Sequence, residues 1–241
     1  MSPPGRGWFV TGTDTGVGKT QVACGLLACL RRRGLSVGVY KPAETGCPEV
    51  DGRLRGDDAV RLQTAAGAGQ PLDSVTAALY AEPAAPLVAA ENAGDTLSLE
   101  RLAEGHRRVA EAYDRVLVEG AGGLLVPVAE GVTFADLARE LKLPVLCVVG
   151  SRLGCINHAL LTLDALATRR IPVAGWILNE LDAAPEERLA HQTHRAVLER
   201  FAPAPCLGTL PPLPAADRDD PSRLADWFES GVETRRLLDA G

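Results

Sequence analysis

Three observations predict an α/β protein, doubly wound, with a mostly parallel sheet and helices on both faces. Short β-rich runs alternate with longer segments of helical periodicity, the order that builds such a sheet. Several of the short runs are apolar almost throughout, as strands covered on both faces are. Just past the ends of those runs lie polar, charged and glycine-rich residues, at the edge where such sheets hold ligands.

Taken in chain order, the first strand is expected at 8–11 and runs into a glycine-rich stretch at 12–20, followed by a helix at 19–33. A strand at 37–40 leads into Lys41-Pro42. Residues 46–93 mix Gly, Pro and Ala and form the least regular part, with Asp57 and Asp58 standing before a short apolar helix. A helix at 97–112 precedes a strand at 115–118, which opens into Glu-Gly-Ala-Gly-Gly at 119–123. A helix at 134–142 precedes a strand at 145–149 and the stretch 150–157. The remaining pattern is a helix at 156–169, a strand at 173–178 ending on Asn179, a helix at 185–201, a strand at 206–210 ending on Pro211, and a helix at 221–239. No repeat and no long linker interrupts this order, so residues 1–241 read as a single domain.

The composition excludes several classes of function. The net charge of −6, with no long basic run, argues against a nucleic-acid partner. No apolar stretch approaches the ~20 residues of a membrane span, and residues 1–7 are too short and polar for a signal peptide. Small arginine groups (31–33, 107–108, 169–170, 235–236) fall mostly where helices should end, where positive charge complements the helix dipole. Six cysteines at irregular spacing, with Cys24, Cys29 and Cys147 in apolar segments, fit a reduced, cytoplasmic protein. His191 and His194 are three apart on an expected helix; with no third ligand motif nearby they read as surface histidines rather than a metal site.

Residues 12–20 read Gly-Thr-Asp-Thr-Gly-Val-Gly-Lys-Thr between a strand and a helix. Small residues let successive backbone N–H groups turn toward one anion, and the helix start adds free N–H groups and a positive dipole end. Thr13, Asp14, Thr15, Gly16, Val17 and Gly18 would form this cradle. Lys19 would reach the β- and γ-phosphates, and the Thr20 hydroxyl would sit on Mg²⁺. The spacing is a variant, because the usual first glycine would fall at Thr13 and Gly12 is one residue early.

Mg²⁺ on a triphosphate takes only one or two protein carboxylates. Glu119, at the end of an apolar strand, is a candidate. Asp57 and Asp58 fit equally well as helix N-caps on these grounds. Lys41 directly follows its strand and is expected to face the phosphate loop across adjacent strands, where it would neutralise a transferring phosphoryl group.

Together these stretches resemble the dethiobiotin synthetases over most of the chain. The likeness is carried by residues 9–20, Tyr-Lys-Pro at 40–42, Thr45-Gly46, Asp58-Ala59, Glu82-Pro83 with Pro86, Val-Leu-Val-Glu-Gly-Ala-Gly-Gly at 116–123, Leu-Gly-Cys-Ile-Asn-His-Ala at 153–159, and Ala-Gly-Trp at 174–176 with Asn179. The resemblance implies a homodimer that closes the ureido ring of dethiobiotin from 7,8-diaminononanoate, CO₂ (or bicarbonate) and ATP, through a carbamate and a carbamic–phosphoric anhydride. It implies Thr20, Asp58 and Glu119 as Mg²⁺ ligands, which selects Asp58 over Asp57. Lys19 and Lys41 would flank the phosphoryl group and the carbamate, and Thr15 and Thr45 would hydrogen-bond the diamine. Asn179, with Pro211 beside it, would read the base. Leu153, Gly154, Cys155, Ile156 and Asn157 would bind the tail carboxylate across the dimer interface; their place at a helix start agrees with that use. Gly16 stands where some members carry glutamate, and Thr45 where serine is familiar.

The principal rival is a nucleotide switch of the partition-ATPase type. That class carries a signature lysine five residues before the main one, where this chain has Asp14. A GTP switch is suggested only faintly by Asn179-Glu-Leu-Asp182, which lacks the lysine of Asn-Lys-x-Asp. A corrinoid amidating ligase would need a glutaminase domain for which 241 residues leave no room.

Overall fold

The computed structural model describes residues 6–181, 188–239 and 241. Six parallel strands form the central sheet: β1 (Gly7–Gly12), β2 (Val37–Tyr40), β3 (Arg115–Gly123), β4 (Val145–Ser151), β5 (Val173–Glu180) and β6 (Cys206–Leu210), in the spatial order β6-β5-β4-β1-β3-β2. The chain leaves β1 for the far edge at β2, returns to β3, and then builds outward on the other side from β4. β1 is therefore the topological switch point, and the crevice beyond its carboxyl end is where a ligand belongs.

Period-two alternation sorts the strand side chains into two cores. Phe9, Val116, Val118, Val145, Cys147 and Val149 face one layer. It is covered by α3 (Leu99–Ala112), α4 (Phe134–Leu141), α5 (Cys155–Thr168) and α6 (Arg188–Phe201). Trp8, Val10, Leu117, Leu146 and Val148 face the opposite layer. That side carries α1 (Lys19–Arg32), α2 (Asp57–Ala66), α7 (Pro221–Gly231) and α8 (Thr234–Asp239). Each large side chain fully removed from water contributes about 1.5–3 kcal/mol. Trp8, Phe9, Trp176 and Phe228 are all wholly buried.

Several sequence expectations are corrected. The single helix expected at 221–239 is two, because β6 is an edge strand and the chain pairs with it. Val232 forms an antiparallel bridge with Gly208, and the Glu233 amide donates to the Leu207 carbonyl at 2.7 Å. The β-branched Val232 adopts an extended conformation there, and the pairing overrides helical periodicity. The strand expected at 115–118 continues to Gly123, so Glu119 lies within β3. The expected start of the helix at 185–201 and Asp182 lie outside the described residues, and α6 is described from Arg188. Arg107 and Arg108 sit inside α3, beside Glu104, rather than at its end. The groups 31–33 and 169–170 lie at helix ends and Arg236 lies in the last turn of α8, as expected for most of these groups.

His194 is buried rather than on the surface. Both histidines approach the buried Ser151 hydroxyl, His191 Nδ1 at 3.1 Å and His194 Nδ1 at 3.0 Å. Cys24, Cys29 and Cys147 are buried free thiols, as expected, and burial pushes Cys24 and Cys147 up to about 12. Among the described residues no helix is long and apolar enough to cross a membrane.

Candidate active site

A cavity of about 710 Å³ opens beyond the carboxyl ends of β1, β2 and β3. Its wall includes Thr15, Lys19, Thr20, Lys41, Thr45 and Asp58. The β1–α1 turn forms its floor. Gly16 and Gly18 take left-handed conformations, with φ of 74° and 86°. Gly18 is the residue immediately before α1, and no side chain caps the helix there. The first-turn N–H groups and the dipole end thus face a potential anion. The Lys19 ammonium donates to the Asp14 carbonyl at 3.2 Å. Burial lowers the Lys19 pKa, against the opposing pull of Glu119.

Glu119 explains how the two neighbouring strands cooperate. β3 lies between β1 and β2, so the expectation that Lys41 and the phosphate loop stand on adjacent strands is corrected: Lys41 reaches them across β3. Val10 pairs with Glu119, but Gly12 pairs with Gly123, so the longer β3 bows outward and brings Ala121 and Gly122 to the cavity wall. Glu119 is fully buried. Its Oε1 accepts from the Thr20 hydroxyl at 2.8 Å and from the Lys41 ammonium at 2.6 Å. Among the described residues its Oε2 has no hydrogen-bond partner.

Lys41 also donates to Asp58 Oδ2 at 2.9 Å and to the Gly120 carbonyl at 3.4 Å. Burial works against its charge, but the Glu119 and Asp58 carboxylates outweigh burial and hold its pKa above the ordinary lysine value. Burial likewise opposes ionisation of Asp58, yet Lys41 brings its pKa below the usual carboxylate range. The pair is charged throughout the neutral range.

Asp57 and Asp58 are not N-caps. Gly56 is the capping residue of α2, and both aspartates lie in the first turn. The cap interaction comes from Glu44, whose two oxygens accept from the Asp58 amide at 2.8 Å and the Ala59 amide at 3.0 Å. Glu44 thereby fixes Asp58 against Lys41. No local pattern marked it, because its partners lie fourteen and fifteen residues away.

The remaining candidates fall in different places. Thr13 and Asp14 lie at the loop's outer side, where Asp14 pairs with Arg152 and accepts from the Thr15 amide at 2.7 Å. Val17 is buried beneath the loop, and its carbonyl accepts from Asn179 Nδ2 at 3.0 Å. Asn179 Oδ1 is buried without a hydrogen-bond partner among the described residues. Pro211 follows Leu210, the β6 partner of Asn179, and its carbonyl accepts from the Trp227 indole at 2.8 Å. Leu153, Gly154, Cys155, Ile156 and Asn157 form the approach and first turn of α5 and are not part of the 710 Å³ cavity wall. Gly154 is left-handed at φ 93°, and no side chain caps the helix. Leu153 is 74% exposed.

The fold and the loop define the class first: a doubly wound α/β protein with a strand–glycine loop–lysine–helix phosphate cradle at its switch point. Residues 6–220 match the AAA domain family AAA_26. The ATP-dependent dethiobiotin synthetase BioD of Cellvibrio japonicus (strain Ueda107) is 43% identical over 224 residues, covering 92% of this chain and 96% of the relative. The enzyme of the same name from Serratia marcescens is 42% identical over 199 residues, covering 83% and 87%. The chain belongs to the ATP-dependent dethiobiotin synthetase family. Its fold is shared more widely. The MinC:MinD cell division complex of Aquifex aeolicus aligns with a TM-score of 0.56 at 16% identity, covering 98% of this chain and 93% of that one. A ParA family ATPase from Chlorobium tepidum TLS aligns at 0.53 and 14%, covering 98% of each. At such identities the likeness is one of fold alone.

Proposed function

We propose that the protein forms dethiobiotin from 7,8-diaminononanoate, CO₂ and ATP with Mg²⁺. The observation that carries this reading is the convergence of Lys19, Thr20, Lys41 and Asp58 on one cavity, with the buried Glu119 bonded to Thr20 and Lys41 behind them, the five residues coming from four separate segments. A nucleotide switch of the partition type is disfavoured at the position of its signature lysine, where Asp14 pairs with Arg152.

The donor set fits Mg²⁺. Thr20, Asp58 and Glu119 are hard oxygen ligands held close together, and the unpartnered Glu119 Oε2 is a buried acceptor that a cation would satisfy. When bound, Mg²⁺ supplies positive charge to the β- and γ-phosphate oxygens. Lys19 would hold the phosphates from the loop, leaving its contact with the Asp14 carbonyl. Lys41 would move from the two carboxylates to the carbamate and the phosphoryl group. The hydroxyls of Thr15 and Thr45 line the same cavity and suit a diamine or its carbamate. One amine captures CO₂ as a carbamate, whose oxygen attacks the γ-phosphate and releases ADP. The second amine then attacks the carbonyl carbon, loses its proton and expels phosphate. The protein's part is positioning and charge stabilisation.

Asn179 and Pro211 are assigned to the nucleotide base, a role supported by the free Asn179 Oδ1 beside the loop. Leu153 to Asn157 are assigned to the tail carboxylate, in a homodimer. Support comes from the uncapped α5 start and from the exposed leucines 125, 153 and 161 around it. The buried free thiols fit a cytoplasmic location.

The test uses ¹⁸O-labelled bicarbonate with ATP, Mg²⁺ and the diamine. Attack by the carbamate oxygen carries one label into inorganic phosphate while dethiobiotin keeps the other. Dethiobiotin accompanied by unlabelled phosphate would eliminate the anhydride route, and no dethiobiotin would eliminate the reaction.

A further inference from the structure

Arg61 stands on a wall between two cavities. It lies on α2 one turn beyond Asp58 and lines the 710 Å³ cavity together with Thr20, Gln21 and Asp58. It also lines a separate cavity of about 390 Å³ with Arg218 and Asp219. Its Nε is 3.9 Å from Asp219 Oδ1, outside hydrogen-bond range, and the Asp219 side chain is 86% exposed. Such an exposed pair holds a side chain weakly. Among the described residues the guanidinium donates no hydrogen bond. Five donors of fixed geometry are therefore uncommitted at the edge of a polar cavity.

The charges around that cavity give this arginine a purpose. Lys19 and Lys41 face Glu44, Asp58 and Glu119, and Lys41 is already engaged by two of those carboxylates. Two lysines against three carboxylates leave the protein's own wall poor in positive charge for a polyanion. The α2 backbone is fixed at its start by the Glu44 carboxylate, so a change of side-chain rotamer alone would turn Arg61 between Asp219 and the cavity.

We infer that Arg61 grips the phosphate chain of the nucleoside triphosphate from α2, releasing Asp219 as it does so. The inference rests on the proposed nucleotide role of the cavity. A guanidinium fork matches two phosphate oxygens at once, which an ammonium does not. Arg61 is thus a binding residue for the triphosphate, additional to the phosphate loop, Lys41 and the carboxylates.

Titration calorimetry of Mg·ATP with the full-length protein tests this. Arg61→Ala is expected to weaken binding roughly tenfold, the scale of one charge-assisted hydrogen bond, with an unchanged thermal midpoint. Arg61→Lys should recover part of the loss, and Asp219→Ala should bind as tightly as wild type or more tightly. Unchanged affinity in Arg61→Ala would overturn the inference. So would an equal loss in Asp219→Ala, because the pair would then merely brace α2. A wild-type protein that fails to bind Mg·ATP would bring down the cavity reading itself, a result distinct from either.

Discussion

Helices α1 and α5 both follow a left-handed glycine, Gly18 at φ 86° and Gly154 at φ 93°, and neither start is capped by a side chain. Each leaves first-turn N–H groups and a positive dipole end for an anion. Their surroundings differ. The α1 start is enclosed, with Lys19 on the cavity wall and Lys41 and two carboxylates fixed around it by short hydrogen bonds. The α5 start is open, flanked by exposed leucine and without a lysine. A helix start alone is a weak anion site. The cations and carboxylates gathered around α1 suit the phosphoryl chemistry proposed for it, whereas α5 offers only the contacts on which its proposed role, orienting a substrate's far end, rests.

Glycine replacement sharpens this contrast. A Cβ on Gly18 would lie 2.2 Å from Asn179 Nδ2, whereas one on Gly154 would meet nothing within 4 Å. Gly18→Ala is expected to abolish Mg·ATP binding in a calorimetric titration and to lower the thermal midpoint. Gly154→Ala should carry only the left-handed backbone cost of about 1–2 kcal/mol. Equal effects on ATP binding would break the comparison.

Lys19→Ala should reduce kcat/KM roughly 10²–10³-fold, the scale of losing one preorganised charge stabiliser, with an unchanged circular dichroism spectrum. Turnover at the wild-type rate would remove Lys19 from the phosphate site. Glu119→Gln leaves Lys41 with half its buried neutralisation, and breaking such pairs costs about 3–5 kcal/mol. We expect a lower melting temperature without ligand and a higher Mg²⁺ concentration at half-maximal rate. An unaltered Mg²⁺ titration would take Glu119 out of the metal site. The smallest effect is expected at the open end: Asn157→Ala should raise KM for the diamine a few-fold, about 1 kcal/mol, and leave KM for ATP unchanged. A shift in KM for ATP of the same size would mean that the two helix starts are not separate sites.

The same contrast governs what could be read from the sequence. The phosphate loop was legible because its strand, glycines, lysine and helix are contiguous, so local chemistry dictates local geometry. Glu119 and Lys41 were legible as charged residues directly following apolar runs. Which strands carry them side by side was not, because β3 inserts between β1 and β2 only through the sheet order. Glu44 capping α2, Arg152 pairing with Asp14 and Arg61 on the cavity wall arise from contacts between distant segments, which no spacing encodes. The break between α7 and α8 has the same origin. A free edge of β6 captures Val232, where helical periodicity would have continued.

The most direct measurement incubates the purified protein with 7,8-diaminononanoate, bicarbonate, Mg²⁺ and ATP and looks for dethiobiotin by mass spectrometry, leaving out each component in turn. The account predicts product only when all four are present. Folded protein that yields no dethiobiotin, or that yields it without ATP, would contradict it.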